Sequence, residues 1–110
     1  MKNVFVLSRH SLFGKGIETL LSQESGIEIV RRDADVSTAV KCIQEYQPDV
    51  VIIDCDDPEL DLSSVILCIL RERPGICIIG LSLEHNKISV YRGEEKQIFQ
   101  VADLMDIIND

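Results

Sequence analysis

Residues Val50, Val51, Ile52 and Ile53 form an unbroken apolar run between Pro48 and Asp54, and all four are β-branched. A strand with one wet face alternates apolar and polar side chains. One covered on both faces does not, so this run predicts the centre of a parallel sheet. A second run, Ile76, Cys77, Ile78 and Ile79, passes through Gly80 to Leu81. Two strands buried on both sides need helices above and below them, which makes the chain α/β.

The flanking pattern supplies those helices. Residues 3–7 read as a first strand that stops at Ser8, Arg9 and His10. Phe13, Ile17, Leu20 and Leu21 recur at helical spacing within 12–23, and Gly26 ends that segment. Residues 27–31 predict a second strand and 36–46 a second helix, with Val36, Val40 and Ile43 on one face and Asp35 as N-cap. Asp61 can cap a third helix over 62–72, closed by Pro74 and Gly75. Strands interleaved with helices in this order predict a doubly wound, mainly parallel, flavodoxin-like sheet with right-handed crossovers.

After Leu83 the pattern changes. Only residues 84–87 separate the fourth strand from the next, at 88–92, whereas a parallel crossover takes a dozen or more residues, so this strand must run antiparallel. A turn at 92–95, a short return strand at 96–99 and a helix at 101–108 complete the reading. That helix should turn Val101, Leu104, Met105 and Ile108 inward. The hairpin sets Ile88 and Val90 against Ser89 and Tyr91, and Ile98 and Phe99 follow on the return strand, so apolar groups project to both of its faces. One helix can cover only one face. Tyr91, Ile98 and Phe99 are therefore expected at an interface, in a homodimer or with a protein partner.

With 110 residues, 45% of them hydrophobic, residues 1–110 suffice for one domain with its own core. Nineteen acidic against 11 basic residues give a net charge of -8, which disfavours nucleic acid as a partner. No apolar stretch approaches the roughly 20 residues of a membrane span and none resembles a leader, so a cytoplasmic protein is expected. Cys42, Cys55, Cys68 and Cys77 contain no Cys-x-x-Cys pair and lie in apolar runs, as buried reduced thiols do, and their spacing does not suit zinc.

Ligands of doubly wound sheets bind beyond the carboxyl ends of the strands. Here those ends offer Ser8, Arg9 and His10, then Asp54, Cys55, Asp56 and Asp57, then Ser82. A central carboxylate with a hydroxyl on the next strand could take a phosphoryl group. No nucleophile is paired with a base, so no catalytic residue is assigned and the chain is not expected to be an enzyme. Asp56 and Asp57 suit turn positions, and His10 a surface or capping position.

At these residues the chain resembles the receiver (CheY-like) domains of two-component response regulators, especially those that precede helix-turn-helix output domains. The likeness lies in His10 to Phe13 with Gly16 to Leu21, in Gly26 to Val30, and in Gln47 to Asp54, and it extends to about Leu83. Pro58 and Asp61 also match. The resemblance implies that Asp54 occupies the phosphoacceptor position and Ser82 that of the hydroxyl contacting the phosphoryl group. It also implies an acidic, Mg²⁺-binding pair after the first strand, where this chain has Ser8 and Arg9. A guanidinium has no lone pair to give a metal and repels it. The family's lysine is unmatched, with Lys87 the nearest candidate. The expectation is a degenerate receiver, with no cofactor, in which Arg9 neutralises Asp54 and which signals by phosphorylation-independent interaction or dimerisation. The alternative is a working phosphoacceptor at Asp54 that uses Mg²⁺.

Overall fold

The computed structural model describes residues 1–33, 35–93 and 99–110, without the side chains of 30–33 and 36. Its elements follow the order β1 (Lys2–Leu7), α1 (Ser11–Ser22), β2 (Ile27–Asp33), α2 (Val36–Tyr46), β3 (Val50–Asp54), α3 (Leu62–Glu72), β4 (Cys77–Ser82), β5 (Lys87–Arg92) and α4 (Val101–Ile108). The sheet order is β2-β1-β3-β4-β5. The first four strands are mutually parallel and β5 is antiparallel to β4, as the short connection required. Asn86, at φ 50°, takes the left-handed turn conformation that asparagine tolerates.

The apolar run around Ile52 lies in the middle strand, with core on both sides. On one face Phe5, Leu7, Val51, Ile53, Ile76 and Ile78 pack against Ala39, Cys42 and Ile43 of α2 and Val65 and Ile69 of α3. On the other, Val4, Val6 and Ile52 meet Phe13, Ile17 and Leu21 of α1. The helices hold their register through side-chain caps: Asp35 accepts from the Ser37 N–H and Asp61 from the Ser64 N–H. The Ser37 N–H holds the Asp35 carboxyl below the usual carboxylate range, and the Ser64 hydroxyl, then its N–H, does the same for Asp61. All four cysteines are free, and Cys42 is buried.

The C-terminal third corrects the reading above. No residue of α4 is buried, and Val101 and Ile108, expected to face inward, are 75% and 63% exposed. Leu104 and Met105 are also exposed. None of the four belongs to either core cluster. Amphipathic spacing showed that the helix has an apolar stripe but not what the stripe meets. The expected return strand at 96–99 lies mostly outside the described residues, Ile98 included. Phe99 is described, belongs to no strand, and is 84% exposed. On β5, Tyr91 packs partly buried against the larger core, while Ile88 and Val90 point the other way and are exposed.

Candidate functional site at the carboxyl end of the sheet

Parallel pairing of β1 with β3 and of β3 with β4 brings Ser8, Asp54 and Ser82 to one end of the sheet. Asp54, the last residue of β3, is 3% exposed. Among the described residues three donors hold it. Ser8 Oγ donates to Oδ2 at 3.2 Å, the Asp56 backbone N–H donates to Oδ1 at 3.1 Å, and His10 Nδ1 lies 3.0 Å from Oδ2. The Ser8 hydroxyl also receives the His10 backbone N–H at 3.0 Å, so the turn from β1 into α1 is fastened to the end of β3. His10 is the N-cap of α1 by position, but its side chain makes no cap bond.

Arg9 does not pair with Asp54, contrary to the expectation above. It reaches past it. Its Nε donates to Asp57 Oδ2 at 2.7 Å and Nη2 to Asp57 Oδ1 at 2.8 Å, a two-pronged bond, while Nη1 donates to Glu59 Oε2 at 2.7 Å. Planar guanidinium and carboxylate match in this geometry, which a single bond to Asp54 would not provide. The Asp57 carboxyl is pushed below the usual range, first by Arg9 and then by the Glu59 backbone N–H, against the opposing effect of burial. The Arg9 guanidinium is correspondingly raised, by Asp57 and then Glu59.

Asp56 and Ser82 are brought together in a different role. Ser82 Oγ donates to Asp56 Oδ1 at 2.6 Å, and the backbone N–H groups of Leu83 and Glu84 donate to Oδ2 at 2.8 and 3.2 Å. Asp56 thus caps the turn between β4 and β5, and these donors, Ser82 foremost, hold its carboxyl low. Ser82 also accepts the His85 N–H at 3.2 Å. Lys87 begins β5 opposite Ser82 and is exposed, beside a shallow hollow lined by Cys55, Ser82 and His85. The Cys55 thiol is raised by partial burial and then by Asp54, which keeps it protonated. Gly80 makes room for it: a Cβ there would meet Cys55 Sγ at 2.6 Å.

The sequence reading brought Asp54, Ser8 and Ser82 to the right end of the sheet and underrated three residues. His10, taken as a surface histidine, touches Asp54, and Asp57 with Glu59 captures Arg9. The spacing Asp57-x-Glu59 opposite a strand-end arginine was the available signal. These residues do not fit a Mg²⁺ ion. Both Asp57 oxygens face a guanidinium and both Asp54 oxygens already accept hydrogen bonds. Among the described residues no group of three His, Cys, Asp or Glu side chains is placed to hold a metal.

An open, mainly parallel sheet of order 2-1-3-4-5, with an aspartate ending its central strand, defines the class of doubly wound receiver-type domains. No family model matches the chain. It is 24% identical over 84 residues to the transcriptional regulatory protein DegU of Brevibacillus brevis, covering 76% of this chain and 36% of that protein. Its fold matches the response regulator domain of Thermotoga maritima CheB with a TM-score of 0.62 at 18% identity, over 73% of this chain and 60% of the other. It matches the signal receiver domain of NarL from Mycobacterium tuberculosis with a TM-score of 0.59 at 26% identity, over 72% of this chain and 65% of the other. These likenesses support a CheY-like receiver domain of the response-regulator kind. The chain spans less than two thirds of each of these three proteins. Among the described residues no helix is long and apolar enough to cross a membrane.

Proposed function

We propose that this receiver domain is degenerate: it acts as a cytoplasmic, non-enzymatic signalling module through contact with a protein partner or a second copy, without phosphorylation at Asp54 and without a bound metal. The observation that carries this reading is the clamp of Arg9 between Asp57 and Glu59. Phosphoryl transfer depends on positioning and on neutralising charge at the transferred oxygens. Here the arginine at the strand end is spent on two carboxylates, and a phosphoryl group on Asp54 would have to displace Ser8 and His10 beside Asp56 and Asp57. Ser82, which could have served the phosphoryl group, donates to Asp56 instead.

The alternative, a working phosphoacceptor, rests on Asp54 standing at the end of the central strand. Acetyl phosphate with Mg²⁺, followed by intact-mass measurement, separates the two. No stable phosphoryl adduct is the expected result; a stoichiometric adduct that disappears in Asp54→Asn overturns the reading.

A further inference from the structure

The sheet face opposite α2 and α3 is covered by α1 at one side only. Beyond α1 it opens into a groove of about 540 Å³ with Val4, Ile52 and Ile79 among its lining residues. Ile79 pairs in register with Val90 and Leu81 with Ile88, so the apolar surface continues onto β5. Val90 and Ile88 there are 55% and 67% exposed. Lys2, Arg73 and Arg92 also line the groove, against one acid among the described residues, Asp49, whose carboxylate accepts the Asn3 N–H and lies 4.0 Å from Arg73.

The same chain carries a segment with the complementary surface. α4 has eight residues, Val101 to Ile108, and Val101, Leu104, Met105 and Ile108 line one side of it at i, i+3, i+4 and i+7. Its only charged residues are Asp103 and Asp106, and no cation lies within it. Asp103 closes a capping box with Gln100, which fixes the first turn. A helix shorter than about 12 residues is marginal in water without a surface to pack on. Within one chain α4 buries none of its residues.

We infer that α4 of one copy seats its apolar stripe on the Ile79 and Val90 face of a second copy, and that the exchange is reciprocal. This deepens the proposal of an interaction module by naming the surface and its occupant. An acidic, cation-free helix suits a basic-rimmed apolar groove, and two-fold symmetry forms the contact twice. The rim cations then lie alongside the helix, and the stripe meets the apolar floor.

Light scattering behind a sizing column, over a wide range of concentration of the full chain, tests the inference with two variants at exposed positions: Leu104→Asp on the helix and Val90→Asp on the sheet face. The unmodified chain should dimerise, and each variant alone should weaken dimerisation at least tenfold. An equimolar mixture of the two should recover mixed dimers, because one helix and one face remain intact. Alkylation of Cys77, a lining residue of the groove, should slow as concentration rises. A monomer at every concentration, or a dimer that Leu104→Asp leaves intact, overturns the inference. So does Cys77 protection independent of concentration, which would place the helix on its own sheet. None of these outcomes produces a phosphoryl adduct at Asp54, so the proposal of phosphorylation-independent contact stands or falls separately.

Discussion

Removing the Asp54 side chain should destabilise the protein, and the size of the loss follows from its three bonds. An intramolecular hydrogen bond is worth about 1 kcal/mol net, and more when the acceptor is charged. Ser8 is half-buried and His10 exposed, so after Asp54→Ala both still reach water and their bonds cost little beyond that net value. The Asp56 N–H is partly buried and cannot turn away. The expected loss is about 2 kcal/mol, allowing for solvent screening on the His10 side. For a chain of this size that corresponds to a fall in Tm of about 8 °C.

Asp54→Asn should behave differently. Its carbonyl oxygen can still accept the Asp56 N–H, its amide can donate to the Ser8 hydroxyl, and His10 can offer an unprotonated ring nitrogen, so the cost should stay within about 1 kcal/mol. Urea unfolding of the three proteins at neutral pH measures both differences. An unchanged or more stable Asp54→Ala would refute the reasoning. It would mean that repulsion from the neighbouring carboxylates outweighs the three bonds, as in a site poised for a cation it lacks.

Below about pH 4 the protein should lose stability. The folded-state values of Asp56 and Asp57 are depressed, so their contribution is complete above the unfolded carboxylate value, near 3.9, and disappears as pH falls through the lower folded values. Thermal melts from pH 7 to pH 2 read this, with Arg9→Gln flattening the Asp57 share; a Tm that rises on acidification contradicts it. Calorimetric titration should find no strong Mg²⁺ binding to the unmodified protein, and measurable binding once Arg9→Asp turns the clamp into a third carboxylate. Strong binding without the substitution would disprove the account of Arg9. Phe99→Glu should weaken partner or self-association without lowering Tm, because Phe99 is exposed, whereas Tyr91→Glu should lower both, because Tyr91 also packs on the core. Equal Tm losses from the two would show that the contrast in burial is misplaced.

The parts of this fold that were legible in the sequence are those fixed by periodicity. Val50 to Ile53 carries its two-sided burial in its composition, and Asp35 and Asp61 announce helices by the chemistry of the cap. The four residues between Leu83 and Ile88 left no topological choice but an antiparallel strand. What failed was direction. That Arg9 needs an anion was readable, but Asp54 ends β3 and Asp56, Asp57 and Glu59 follow it, and only the backbone path decides that the fork faces Asp57 and Glu59 while Asp54 turns to Ser8 and His10. The stripe on α4 was equally plain, but periodicity reports an apolar surface without naming its partner, and the same stripe serves a helix packed on its own sheet or on another chain's. The first failure belongs to a side chain whose partners lie about 50 residues away along the chain. At such separations local pattern carries no information, and the competition among neighbouring acids is settled by geometry: a guanidinium prefers the carboxylate it can meet edge to edge over one that already accepts from other donors.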